Sequence, residues 1–213
     1  MALRWLLVFL LPALVGCPSE LDDSFADDEE APDDDDAADD DDSALEVFPV
    51  DALLAGQLVV TELMANPGPG CDEVADQYIE LLYLGPDGGD LRGLVVLYEL
   101  GSAELTGSVP VDNGDLVLLA AEAVSPCYGT AGYALPLEIG ATVGALWLST
   151  PSDTQLDAVD MTGWAIPDGT ALQLSPGAMS ASENDLESNW CLSTAPLGAS
   201  GDLGTPGQPN TGC

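Results

Sequence analysis

Between residues 18 and 46, 16 of 29 positions are Asp or Glu, including the runs Asp33-Asp34-Asp35-Asp36 and Asp39-Asp40-Asp41-Asp42. Only Ala, Pro, Ser and isolated hydrophobics such as Leu21 and Phe25 stand between them. Such a segment cannot bury enough apolar surface to offset the entropy of ordering its backbone, and its like charges repel towards extended shapes. The chain is thereby divided. Residues 17–46 read as a disordered acidic linker with Cys17 at its head, and the folded part must lie beyond them, over 47–213. The plainest role for the linker is a spacer. Clustered carboxylates also suit a weak Ca²⁺ reservoir, and an acidic export signal is a further reading. The runs lack the spaced ligands and turn glycine of an EF-hand loop, so no calcium site is assigned.

Ahead of the linker, residues 1–16 read as a signal peptide. Arg4 supplies a positive start, residues 5–15 form an apolar run of eleven, and Gly16 precedes Cys17. A membrane-spanning helix needs about 20 apolar residues, so this run is too short to span. Leu14-Val15-Gly16-Cys17 resembles the lipobox of bacterial lipoproteins. That resemblance implies cleavage before Cys17 and a diacylglyceryl thioether on it, usually with an N-acyl chain. Two or more acyl chains make anchoring stable, so the expected partner is the membrane, through lipid at Cys17, and the expected location is the bacterial cell envelope, periplasmic or surface-exposed. An ordinary secretory signal cleaved nearby is the alternative.

The bases are as informative as the acids. The whole chain has 38 Asp and Glu against two basic residues, Arg4 and Arg92, and no Lys or His, for a formal net charge of −36. Without His or Lys there is no Ser-His-Asp triad, no Cys-His pair, no Schiff-base lysine and no P-loop. Nucleic acid is excluded as a partner, because its affinity comes mainly from Lys and Arg neutralising phosphates. Residues 47–213 carry 22 acids and only Arg92. A folded part so poor in bases favours cationic partners, with association faster at low salt.

The 47–213 region reads as all-β. Apolar or alternating runs recur at 57–64, 77–84, 91–100, 115–121, 143–148, 156–161 and 170–174, separated by Gly, Pro, Asn and Asp clusters. Pro67-Gly68-Pro69-Gly70 forbids regular pairing, Pro86-Asp87-Gly88-Gly89 supplies positive-φ residues, and Asp112-Asn113-Gly114-Asp115 is a hairpin signal of the Asn-Gly kind. Only 120–124 looks helical, and it is short. These runs predict a two-sheet β-sandwich with Val, Ile, Leu and Trp147 in its core.

With Cys17 assigned to lipid, Cys71, Cys127, Cys191 and Cys213 form an even set suited to an oxidising compartment. Four cysteines allow three pairings. The preferred one joins Cys191 to Cys213, pinning the Gly/Pro-rich tail, and Cys71 to Cys127, joining two loops. A thiolate metal site lacks both Cys-x-x-Cys spacing and His, so no metal and no cofactor are expected.

Several segments together resemble the lamin tail domain, an immunoglobulin-like β-sandwich also found in bacterial secreted proteins and lipoproteins. Leu58-Val59-Val60-Thr61-Glu62-Leu63-Met64-Ala65-Asn66-Pro67 is similar to that family's opening strand, Gln77-Tyr78-Ile79-Glu80-Leu81 to its "(W/Y)IEL" strand, and Asp90-Leu91-Arg92-Gly93 to its "DLSG" turn. Leu156-Asp157-Ala158-Val159-Asp160, and Trp190 followed by Gly204-Thr205-Pro206-Gly207-Gln208-Pro209-Asn210, resemble its later strand and its close. Leu94 departs from the family's usual Trp, and Leu84-Gly85-Pro86 from its Asn-Pro. The resemblance implies a binding or structural module; it does not imply catalysis, and it carries over no ligand.

The remaining candidates have structural readings. Glu62 and Glu80, on adjacent predicted strands, have the composition of a paired-carboxylate glycosidase site, but orientation of a loop through backbone N–H groups is the preferred role. Asp157 and Asp160, with Asp153 upstream, are oxygen ligands that suit Ca²⁺, yet outward positions on an edge strand explain them. Trp190 is expected in the core, packing on the disulfide at Cys191. The function expected is that of a non-enzymatic, lipid-anchored envelope protein displaying a binding or structural module, with an envelope protein, a polysaccharide or a cationic surface as partner. A spacer or assembly unit without a ligand is one alternative; a carboxylate-based or metal-dependent hydrolase is the other.

Overall fold

The computed structural model describes residues 47–129, 132–140 and 144–213. The expected signal peptide, the expected lipidation site Cys17 and the acidic linker lie outside the described residues. The described ones belong to one compact unit, Ser43–Cys213.

Among the described residues there are fifteen strands: β1 Phe48–Pro49, β2 Leu58–Met64, β3 Tyr78–Tyr83, β4 Gly89–Asp90, β5 Val95–Tyr98, β6 Gly101–Glu104, β7 Pro110–Val111, β8 Leu116–Ala120, β9 Tyr133–Ala134, β10 Ala145–Ser149, β11 Gln155–Asp160, β12 Leu172–Leu174, β13 Trp190–Leu192, β14 Pro196–Leu197 and β15 Asp202–Leu203. They form a six-stranded sheet, β13-β12-β2-β3-β8-β9, and a four-stranded sheet, β11-β10-β5-β6, with two small sheets, β1-β4-β7 and β14-β15, at the periphery. The two large sheets are antiparallel apart from the β8–β9 pair. This is the all-β sandwich of two large sheets expected from the sequence.

One core lies between the large sheets. Leu63, Ile79, Leu81, Leu119, Leu174 and Trp190 enter it from the six-stranded sheet, and Val96, Leu146, Leu148, Leu156 and Val159 from the four-stranded one. Each such side chain, fully buried, contributes about 1.5–3 kcal/mol of transfer free energy. The six-stranded sheet also has a covered outer face, where Met64, Tyr78, Leu118, Ala120, Ala171 and Leu197 form a second cluster. All seven residues of β2 are buried for that reason. A strand with one wet face alternates; β2 has none.

Two expectations about this frame change. The turn at residues 112–115 forms, with Gly114 at φ 93° and the Asp115 N–H donating to the Asp112 carbonyl at 3.0 Å. It does not close a hairpin: β7 pairs with β4 and β8 with β3, so the turn carries the chain from a small sheet into the large one. Trp147, expected in the core, stands on the outer face of β10 and is 39 % exposed, because alternation along β10 sends Leu146 and Leu148 inward instead.

Candidate functional site

The outer face of the six-stranded sheet carries a polar row. Cys191 pairs with Gln173, Gln173 with Glu62, and Glu62 with Glu80, so these side chains stand side by side on four neighbouring strands. Gln173, Glu62 and Glu80 are buried by the C-terminal segment, residues 204–213, which lies across the row. The Thr205 N–H donates to Glu62 Oε1 at 2.7 Å and the Thr205 hydroxyl to Glu62 Oε2. The Gly207 N–H donates to Glu80 Oε2 at 2.6 Å. Gln173 Nε2 donates to the Thr211 carbonyl at 2.6 Å, and Asn210 Nδ2 to the carbonyls of Thr61 and Leu174, both at 2.8 Å. Beyond these contacts the Cys191–Cys213 disulfide fastens the end of the segment to β13.

The segment must come close to the sheet to do this. A methyl group added at Gly204 would overlap the Tyr78 hydroxyl, which itself donates to Glu62 Oε1 at 2.5 Å. Glycine is required there by the lack of space.

Two carboxylates placed opposite each other in a sheet, with no base among their hydrogen-bond partners, cannot both ionise cheaply. Burial pushes Glu80 up to about 8, with the charge of Glu62 adding to the rise. Burial also raises Glu62, against the lowering effect of its bonds from Thr205 and Tyr78. The preferred sequence reading of this pair, orientation of a loop through backbone N–H groups, describes the geometry found.

A second carboxylate centre ties the loops at one end of the sheet. Asp202 Oδ2 accepts the Gly68 N–H at 2.9 Å and the Tyr128 hydroxyl at 2.6 Å. Asp76 Oδ1 accepts the Ser125 hydroxyl and, at 3.0 Å, the Cys127 N–H, while its Oδ2 accepts the Asp72 N–H at 2.8 Å. The Cys71–Cys127 disulfide joins these loops. Cys71, Asp76 and Cys127 come together closely enough to hold a metal ion, but the two sulfurs are bonded to each other and both Asp76 oxygens already accept hydrogen bonds. The cluster is structural. Both disulfides are those preferred from the sequence, and they mark a domain that matures in an oxidising, non-cytoplasmic compartment.

No protein-family model, no curated protein and no solved structure matches this chain. Its functional reading therefore rests on its own residues.

Asp157, Asp160 and Asp153 do not form a ligand set. Asp157 was expected to face outward from an edge strand. β11 is an edge strand of its sheet, but Asp157 points inward and is buried. Its Oδ2 accepts the Val60 N–H at 2.8 Å and Asn184 Nδ2 at 2.7 Å. The reason lies in β2, where a bulge between Val60 and Glu62 breaks the ladder and leaves backbone groups to be satisfied by side chains. Asp157 takes the Val60 N–H, and Asn184 Nδ2 reaches the Val60 carbonyl at 3.3 Å. Burial pushes Asp157 up to about 6 despite these bonds. Asp160 is exposed three residues on, accepting the Thr162 N–H at 3.0 Å, and Asp153 sits exposed in a turn at φ 63°.

Trp190 is in the core as expected, 6.0 Å from Trp164 between ring centroids, with its indole N–H donating to the Asn184 carbonyl at 2.7 Å. It does not pack on the disulfide, because Cys191, the next residue on β13, faces the opposite side beside Gln173. Asn184, Asp202 and Asn210 are buried organisers that sequence reasoning did not single out. For Asn210 a signal existed in the closing Gly-Thr-Pro-Gly-x-Pro-Asn motif; for Asn184 and Asp202 nothing local distinguishes them from surface loop residues.

Proposed function

We propose that the chain is a lipid-anchored cell-envelope protein whose folded part is a non-catalytic, lamin-tail-like module for binding or structural display. The observation that carries this reading is the use made of the Glu62 and Glu80 carboxylates. A glycosidase pair must face a substrate cleft, with room for sugar and water between its members. Here both carboxylates lie under the C-terminal segment and receive its N–H groups. Their electrostatic cost is spent on holding backbone in place.

Three further features support the reading. The Leu14-Val15-Gly16-Cys17 motif supplies an anchor, the acidic run supplies reach from the membrane surface, and two disulfides suit an oxidising compartment. Among the described residues no helix is long and apolar enough to cross a membrane; attachment in this reading comes from lipid at Cys17, on the strength of the Leu14-Val15-Gly16-Cys17 motif. The absence of Lys and the single Arg of the folded part direct it towards cationic partners in the envelope.

Fractionation of cells expressing the chain tests the proposal. The wild type is expected with the membranes and Cys17→Ser in the soluble or secreted fraction. Equal partition of the two would reject the lipid anchor. Turnover of a glycoside or phosphoester panel, lost in Glu62→Gln or Glu80→Gln, would reject the non-catalytic reading.

A further inference from the structure

The outer face of the four-stranded sheet carries an aromatic side chain that the core does not use. Trp147, 39 % exposed, borders an open groove of about 540 Å³ also lined by Glu99, Gly144, Ala145, Asp160 and Thr162. The sheet register explains the arrangement. Ala145 lies opposite Asp160 on β11, and Trp147 lies opposite Ala158 on β11 and Leu97 on β5, so Asp160 is the diagonal neighbour of the indole on the same face. Glu99 approaches from the other side and lies against Gly144, where an added methyl group would come within 2.9 Å of Glu99 Oε2. Gly144 and Ala145 therefore form a low floor between two carboxylates, with the tryptophan as one wall.

We propose that this groove is a recognition site for a lysine or arginine side chain presented by a basic segment of a partner protein. An ammonium or guanidinium group gains from the face of an indole and from flanking carboxylates, and tryptophan is the best of the aromatic partners for it. The lining contains no base to compete for either. Asp160 is fixed in place, its Oδ1 accepting the Thr162 N–H at 3.0 Å. Bonds from Thr162 also hold its carboxyl below the usual range, so it stays charged. Charge complementarity selects the occupant: a chain of net charge −36 draws basic partners, and the groove is a place where such a partner finds a specific contact. A neutral sugar would also stack on Trp147, but two carboxylates and one hydroxyl supply it with acceptors and few donors.

This site deepens the reading of a display module and rests on it for the partner's presence in the envelope; binding in vitro does not depend on Cys17, so the two readings fail separately. The test is a titration of the full chain, labelled at its tryptophan indoles, with an oligolysine peptide, a neutral Gly-Ser peptide and a neutral cello-oligosaccharide. Trp147→Phe assigns the Trp147 indole signal, and the Trp164 and Trp190 signals report whether each variant is folded. Oligolysine is expected to shift the Trp147 signal saturably, and the neutral peptide is not. Glu99→Gln with Asp160→Asn should weaken that titration about fivefold or more, whereas Glu73→Gln with Glu187→Gln, which removes two exposed charges elsewhere, should change it by less than about twofold. The proposal is overturned by a Trp147 signal that does not move with oligolysine, by one that moves equally with the saccharide, or by equal weakening in the two double variants. The first means no site, the second a sugar platform, the third diffuse attraction.

Discussion

Glu62 and Glu80 face each other across the β2–β3 pair, and each holds a different backbone N–H of the same C-terminal segment, Thr205 for Glu62 and Gly207 for Glu80. The pair acts as a two-point clamp, with the Cys191–Cys213 disulfide as the third fastening. A clamp made of two acids and no base has a pH dependence of unusual sign.

A carboxyl whose pKa is raised on folding binds more protons in the native state than in the unfolded one. Its contribution is therefore most favourable below the unfolded value and declines as pH rises towards the folded value. For Glu80 that window runs from 4.5 to about 8, and for Asp157 from 3.8 to about 6. Asp72 and Asp160 act oppositely: their lowered pKa values contribute stability above 3.8 that is lost as pH falls further. Stability should peak near the bottom of the Glu80 window and fall by on the order of 1–3 kcal/mol by pH 8. Urea denaturation at a series of pH values checks this, and Glu80→Gln should flatten the slope. A wild-type stability that rises from pH 5 to pH 8 would contradict it.

The disulfides should contribute unequally. Cys71–Cys127 closes a separation of 56 residues and Cys191–Cys213 one of 22. Loop-closure entropy predicts losses of about 4 and about 3 kcal/mol on replacing each pair with serine. Denaturation of the two double variants measures the order. Hydrogen exchange should show Thr205 and Gly207 losing protection in Cys191→Ser with Cys213→Ser and far less in the other pair.

Close approach of the C-terminal segment is testable at glycine. Gly204→Ala places a methyl group on the Tyr78 hydroxyl and near Glu62, whereas a methyl at Gly70 meets nothing within 4 Å. Gly204→Ala should cost about 2–3 kcal/mol, as overpacking commonly does, and Gly70→Ala should be close to neutral. Thermal or urea melts compare them directly.

The bulge in β2 gives a further case. Asn210→Ala would leave the carbonyls of Thr61 and Leu174 without the amide that now bonds both. Buried acceptors left unpaired cost about 1–3 kcal/mol. Asn210→Asp should be at least as damaging, since it replaces the donor with a third buried acid beside Glu62. Similar stability for wild type and Asn210→Ala, by urea denaturation, would show that the Thr61 and Leu174 carbonyls do not depend on the Asn210 amide.

Much of this fold is legible in the sequence because its long strands carry apolar runs bounded by turn residues. The runs at 57–64, 77–84, 115–121 and 156–161 became β2, β3, β8 and β11 with ends shifted by a residue or two. The short strands were hidden. β1, β7 and β14 have two residues each and contain a proline, so they carry no periodicity. Trp147 and Asp157 were misplaced for a shared reason: polarity predicts a strand's wet face, but in β10 and β11 a large apolar residue faces out and a carboxylate faces in. Asp157 turns inward because the β2 bulge, far away in sequence, needs an acceptor for the Val60 N–H. Glu62 and Glu80 could be read as a pair from strand adjacency; what covered them, 120 residues or more downstream, became visible only with the segment folded onto them.

The central claim, a folded module held at a membrane by lipid on Cys17, is tested most directly by the intact mass of the protein extracted from native membranes. The account predicts a chain beginning at Cys17 and carrying diacylglyceryl and acyl mass. A chain that retains residues 1–16, or one that begins at or near Cys17 with no added lipid mass, would contradict it.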